Sequence, residues 1–130
     1  MPTSFSTDLP LRGRILIVDD MMENVLVLNN ILKEQHEVLF ALKGDKAIEL
    51  AQTRAPDLIL LDAVMPEMDG YVLTKHIKAD SRFDGIPVVM HSSLSSEANR
   101  AMGQAVGVDA YVAKFDAEVL ADTLRPLLER

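Results

Sequence analysis

The chain has 130 residues, of which 48% are hydrophobic and 25% are charged, so its size and composition suit a single globular domain. It has no cysteine, which excludes disulfides and thiolate metal sites. The net charge of −7 argues against nucleic acid as a direct partner, because phosphate binding needs clustered Lys and Arg. No apolar run approaches the roughly 18 residues that a membrane span needs, so we expect no membrane insertion.

The first twelve residues differ from the rest of the chain. They are rich in Ser, Thr and Pro and lack the apolar stretch of a signal peptide. We therefore predict a flexible leader over residues 1–12 and one domain over residues 13–130.

Short apolar runs alternate with amphipathic stretches along this domain, and we interpret the runs as buried strands and the stretches as helices. In chain order the predicted elements are strand Ile15–Val18, helix Glu23–Glu34, strand Val38–Leu42, helix Asp45–Thr53, strand Leu58–Leu61, helix Tyr71–Asp80, strand Ile86–His91, helix Ser96–Ala105, strand Ala110–Ala113 and a last helix after Asp116.

Proline, glycine and aspartate mark the ends of several elements. Pro87 lies near the start of the fourth strand, where proline is best tolerated. Gly107 is predicted to close the fourth helix, and Asp116 to cap the last one. Pro126 should kink that helix or mark a frayed end. Five strand–helix units of this kind predict an α/β fold, with a doubly wound parallel sheet covered by helices on both faces.

Three carboxylates follow two of the buried strands. Asp19 and Asp20 come directly after the first strand, and Asp62 after the third. If these strands are neighbours, the acids converge at the carboxyl edge of the sheet, where ligands of such folds bind. Two carboxylates about 5 Å apart repel by roughly 3 kcal/mol at an effective dielectric constant near 20. The cluster therefore predicts a cation site, and oxygen ligands open to water suit Mg²⁺ better than Zn²⁺.

Two further polar residues are predicted at the same edge. Ser92 follows the fourth strand and Lys114 follows the fifth. A hydroxyl and an ammonium group there could bind two oxygens of a phosphoryl group carried by Asp62, and phosphoryl transfer depends mainly on such electrostatic stabilisation. Each residue alone would more often be an ordinary surface residue, so it is their shared location that supports phosphoryl binding.

From about Arg14 to Leu128 the sequence resembles the receiver domain of bacterial two-component response regulators, of the CheY-like superfamily. The motifs that carry the resemblance lie in the expected order and spacing: Ile-Leu-Ile-Val-Asp-Asp (15–20), Pro-Asp-Leu-Ile-Leu-Leu-Asp (56–62), Met-Pro-Glu-Met-Asp-Gly (65–70), Ile-Pro-Val-Val-Met-His-Ser-Ser (86–93) and Tyr-Val-Ala-Lys (111–114). The resemblance implies a flavodoxin-like sheet with strand order 2-1-3-4-5.

The resemblance also implies a role for each matching residue. Asp62 would accept a phosphoryl group from a partner's phosphohistidine, with Mg²⁺, or Mn²⁺ in its place, as cofactor. Asp20, Asp62 and the backbone carbonyl of Val64 would bind the metal, and Asp19 would act through a metal-bound water. The same resemblance implies that Ser92 and Tyr111 are switch residues and that Lys114 contacts the phosphoryl group.

The partners implied are a histidine kinase or phosphotransfer protein and a downstream target protein. The resemblance also implies a cytoplasmic location, allows a homodimer, and limits enzymatic activity to self-phosphorylation and self-dephosphorylation. Residues 68–115 are most similar to receivers of chemotaxis coupling proteins, and residues 19–24 to receivers that precede cyclic-di-nucleotide output domains.

One position departs from the family pattern, and two others are variable within the family. Phe115 stands where most receivers have a proline after the lysine, so we expect this loop to differ in shape. Val64 and Leu94 occupy variable positions that tune dephosphorylation. Because both are apolar, neither can orient an attacking water by hydrogen bonding.

Two alternative functions remain at this stage. A phosphoester hydrolase would use Asp62 as a nucleophile, but such enzymes usually carry a second acid two residues later, where this chain has Val64. A scaffold without phosphorylation is the other alternative, and the complete set of acids, serine and lysine argues against it.

Overall fold

The computed structural model describes residues 13–63, 69–92, 97–113 and 116–129. Its strands are β1 (Arg14–Val18), β2 (Glu37–Ala41), β3 (Leu58–Asp62), β4 (Val88–Ser92) and β5 (Ala110–Ala113). Its α-helices are α1 (Met22–Leu32), α2 (Gly44–Arg54), α3 (Gly70–Ala79), α4 (Glu97–Val106) and α5 (Ala117–Leu128). A short 3₁₀ helix, Ser81–Phe83, follows α3.

The five strands form one parallel sheet in the order β2-β1-β3-β4-β5, as predicted. Side chains of β1 alternate between two apolar cores. Ile15 and Ile17 pack beneath α1 and α5, whereas Leu16 and Val18 pack beneath α2 and α3. Because both faces of the sheet are covered, the central strands must be apolar throughout, which explains why their sequences lack the alternation of a half-exposed strand.

The signals at helix ends are largely confirmed. The carboxylate of Asp116 accepts a hydrogen bond from the backbone N–H of Val119 and so caps α5. α4 ends at Val106, and the N–H of Gly107 donates to the carbonyl of Gln104. Pro126 lies within α5, which continues to Leu128.

Most predicted element boundaries differ from the observed ones by one or two residues. β4 begins at Val88 rather than Ile86, after Pro87, whose missing N–H could not join the ladder. α1 ends at Leu32 rather than Glu34, and Lys33 is its C-cap, with its N–H bonded to the carbonyl of Asn29. β2 ends at Ala41 rather than Leu42. Among the described residues no helix is both long enough and apolar enough to cross a bilayer.

Candidate functional site

The acids predicted to converge do so at the carboxyl edge of the sheet. Asp19 and Asp20 follow β1, Asp62 ends β3, and β1 and β3 pair directly. One carboxylate oxygen from each acid lies within 4.8 Å of the others. This edge between β1 and β3 is also where the winding of the sheet reverses, which is the ligand-binding position of open α/β sheets.

The three acids differ in exposure. Asp19 is fully buried, Asp62 is 4% exposed, and Asp20 is half-buried. A buried carboxylate is costly unless it is paired, hydrogen-bonded or bound to a cation. This all-oxygen set fits a hard divalent cation such as Mg²⁺, which prefers carboxylates and retains several waters.

Local hydrogen bonds hold Asp19 in place. Its Oδ1 accepts from the backbone N–H of Met21 at 2.9 Å and from the side-chain amide of Asn24 at 3.3 Å. Its own N–H donates to the carbonyl of Ala41 in β2. The start of α1 is therefore tied to the acid cluster. Asn24 is not among the site residues predicted from the sequence. Its position in the first turn of the helix that follows the acid pair is the signal that could have found it.

Gly70 lets α3 begin against the end of β3. Its N–H donates to the carbonyl of Ala63 at 3.0 Å. A Cβ at this position would lie 2.1 Å from the carbonyl oxygen of Asp62, so any larger residue would have to displace backbone. Asp69 caps the helix by accepting a hydrogen bond from the N–H of Tyr71 at 2.7 Å. The first residue of α3 is thus held against the end of β3.

The other predicted site residues fall into two groups. Ser92 is buried at the carboxyl end of β4, opposite Ala113 of β5, and Tyr111 lies half-buried in β5. Lys114 and Val64 lie outside the described residues, as do Phe115 and Leu94, so their predicted roles stay predictions.

His91 lies closer to the acids than the sequence suggested. It pairs with Asp62 across β3 and β4, is 1% exposed, and places Nε2 3.9 Å from Oδ2 of Asp19. From the sequence, His91 is expected to be a strand-end residue near the site with no catalytic role. Its strand register, which puts it beside Asp62, was the signal for this position.

With this geometry in view, the chain belongs to the response regulator receiver domain family, whose profile matches residues 15–125. It is 34% identical to the protein PilH of Pseudomonas aeruginosa over 118 residues, covering 89% of this chain and 98% of PilH. It is 37% identical to the response regulator PleD of Caulobacter vibrioides over 103 residues, covering 78% of this chain and 23% of PleD.

The fold has close counterparts among solved structures. A putative response regulator from Chloroflexus aurantiacus superposes with a TM-score of 0.85 at 27% identity, covering 91% of this chain and 98% of that one. The chain is therefore a receiver domain of two-component signalling, with a CheY-like fold. Receiver domains bind Mg²⁺ at a cluster of aspartates, and Asp19, Asp20 and Asp62 form such a cluster here.

Proposed function

We propose that Asp62 is the phosphoacceptor of this receiver and that the reaction requires Mg²⁺. The observation that carries the proposal is the position of its carboxylate, at the end of β3 and within 4.8 Å of two other acids. An oxygen of Asp62 would attack the phosphorus of a phosphohistidine on a histidine kinase or phosphotransfer protein. The P–N bond breaks, its electron pair stays on the imidazole nitrogen, and the product is an acyl phosphate on Asp62.

Some residues of the cluster would coordinate the metal directly and one through a water. We assign direct ligation to Asp20, Asp62 and the carbonyl of Val64, and contact through a water to Asp19. Bound there, Mg²⁺ or Mn²⁺ would neutralise charge on the transferring phosphoryl oxygens. The hydrogen bonds from Met21 and Asn24 fix the carboxylate of Asp19, and this supports its role as an oriented acceptor of that water.

The phosphorylated state would be read by residues at the ends of β4 and β5. We propose that Ser92 and Lys114 contact the phosphoryl oxygens, and that Tyr111 moves with Ser92 to change a docking surface for a downstream target. The burial of Ser92 at the carboxyl end of β4, and the exposure of neighbouring α4, support this arrangement. The apolar Val64 and Leu94 would give no side-chain help to hydrolysis. Enzymatic activity would be limited to self-phosphorylation and self-dephosphorylation.

The phosphodonor would dock beside the acids on the start of α1. Met21, Met22 and Leu26 are exposed apolar side chains there, and the N–H of Met21 is bonded directly to Asp19. A donor imidazole must approach the edge of the sheet at this point to reach Asp62. Exposed methionines suit such contacts because their flexible side chains adapt to a partner surface. We also propose a cytoplasmic location. The predicted leader over residues 1–12 lies outside the described residues and stays a prediction.

Mass spectrometry after incubation with a small phosphodonor and Mg²⁺ tests the assignment. The wild-type chain should gain one phosphoryl group, and Asp62→Asn should gain none. Asp84→Asn, which changes an exposed acid in the loop before β4, is the matched control and should behave as wild type. Equal gain on wild type and Asp62→Asn would refute the assignment, and failure to bind Mg²⁺ would favour a scaffold function.

A further inference from the structure

The ring of Tyr111 lies in a slot between α3 and α4. A Cβ on Gly103 of α4 would lie 2.9 Å from Cδ2 of Tyr111, so the ring packs directly on the glycine. The guanidinium carbon of Arg100 is 5.3 Å from the ring centroid, and its Nη1 donates to the carbonyl of Tyr111 at 3.0 Å. α4 therefore contacts both the ring and the backbone of this residue.

Tyr71 closes the slot from the side of α3. It is 7% exposed, and its hydroxyl oxygen lies 3.3 Å from the hydroxyl oxygen of Tyr111 and 3.3 Å from the carbonyl oxygen of Asn99. A hydroxyl has a single hydrogen. If Tyr71 donates it to Asn99, Tyr111 must be the donor of the bond between the two tyrosines. The hydroxyl of Tyr71 thus joins α3, α4 and β5.

The chemistry of Tyr71 agrees with this geometry. Burial, and then the hydrogen bond with Tyr111, raise its pKa well above the ordinary value for tyrosine. The hydroxyl is therefore held neutral, which keeps it able both to donate and to accept at any physiological pH.

Backbone contacts also connect Tyr71 to the end of β3, where Asp62 lies. Tyr71 follows Gly70, whose N–H is bonded to the carbonyl of Ala63 and whose Cα is pressed against the carbonyl of Asp62. Its own N–H is bonded to Asp69. A displacement at the end of β3 would therefore move the start of α3, which carries Tyr71.

We propose that Tyr71 is a positioning residue for Tyr111, whose ring its hydroxyl holds in the slot between α3 and α4 while Asp62 is unphosphorylated. This inference rests on the proposed function, in which Tyr111 is a switch residue. Phosphorylation must then break the bond between the two tyrosines before Tyr111 can move. Tyr71 therefore sets the equilibrium between the two signalling arrangements without touching the phosphoryl group.

The expected effect follows from the strength of the one neutral hydrogen bond that the switch would break, between the hydroxyls of Tyr71 and Tyr111. Loss of such a bond in Tyr71→Phe, with the ring retained, should shift the equilibrium toward the switched arrangement by roughly two- to tenfold. A merely structural role would lower stability and leave that equilibrium unchanged.

The composition of the chain makes the test specific. It contains two tyrosines and no tryptophan, so 3-fluorotyrosine labelling gives one ¹⁹F NMR signal for each member of the pair. Tyr71→Phe and Tyr111→Phe assign the signals. Wild type and Tyr71→Phe are then titrated with beryllofluoride, a phosphoryl mimic, at saturating Mg²⁺. Thr123→Val is the control, because it removes a hydroxyl that bonds within α5, to the carbonyl of Val119.

We expect the Tyr111 signal of Tyr71→Phe, without mimic, to move toward its position in mimic-bound wild type. The mimic concentration at half-switching should fall roughly two- to tenfold, and Thr123→Val should match wild type. An unchanged midpoint, or a higher one, overturns the inference. Tyr111→Phe gives a second reading through the Tyr71 signal, which should move if the bond exists.

The same titration separates this inference from the function on which it rests. If the mimic moves the Tyr111 signal equally in wild type and Tyr71→Phe, Tyr111 is a switch and only the role of Tyr71 is refuted. If the mimic binds wild type and leaves the Tyr111 signal in place, the switch assignment itself is wrong, and the inference falls with it.

Discussion

Removing the charge of Asp62 should stabilise the metal-free protein. One oxygen of its carboxylate lies within 4.8 Å of a carboxylate oxygen of Asp19 and of Asp20. At that separation each pair of charges repels by about 3 kcal/mol at an effective dielectric constant of 20. Asp62→Asn removes two such pairs, but solvent at half-buried Asp20 offsets much of the repulsion. We expect a net gain of about 1–3 kcal/mol, or roughly 4 °C in Tm for each kcal/mol.

Thermal unfolding with and without Mg²⁺ measures this effect. In chelator-treated buffer Asp62→Asn should melt above wild type. Mg²⁺ at about 100 times its Kd should stabilise wild type by about 2.7 kcal/mol and the variant by much less, so the difference should shrink or reverse. Asp84→Asn should melt within about 0.5 kcal/mol of wild type in both buffers. If Asp62→Asn is less stable without metal, or if Mg²⁺ leaves the difference unchanged, the acids do not form a repulsive cation site.

Three further predictions concern Gly70, beside the site, and two carboxylates elsewhere in the fold. Gly70→Ala should destabilise the fold by about 1–3 kcal/mol or more in urea unfolding, since its Cβ would overlap backbone at the end of β3. Asp109→Ala should cost about 1–3 kcal/mol by the same measurement, because its carboxylate accepts the buried N–H of Val88 at 2.8 Å. Hydrogen bonds from Arg82 lower the pKa of Asp80 from 3.8 to about 2. The lowered pKa means that this contact stabilises the protein above about pH 4 and is lost as pH falls through 2; NMR titration should find the Asp80 pKa closer to 3.8 in Arg82→Ala.

The order and type of the elements could be predicted because burial on both faces of a parallel sheet leaves a plain pattern. Ile15–Val18 and Leu58–Leu61 are apolar without interruption, and both lie in the centre of the sheet. Ends were less certain where no single residue dictates them. β4 begins two residues late because Pro87 cannot contribute an N–H, whereas the end of α1 carries no comparable signal.

The acid cluster could be predicted because its members end neighbouring strands, so strand order alone brings them together. The contacts around the cluster could not. Asn24 bonds Asp19 only because α1 begins at Met22, and His91 lies beside the acids only because of the register between β3 and β4. The roles of Lys114 and Val64 stay predictions.

The sequence alone reveals the chemistry of this edge of the sheet, because it shows which acids and which hydroxyl follow the apolar strands, and it is sufficient to recognise a receiver domain. The contact between the hydroxyls of Tyr71 and Tyr111 is visible in the tertiary structure alone. These residues are 40 positions apart, on a helix and a strand that do not follow one another. No local pattern encodes that contact, because it depends on how α3 and α4 pack together beside β5.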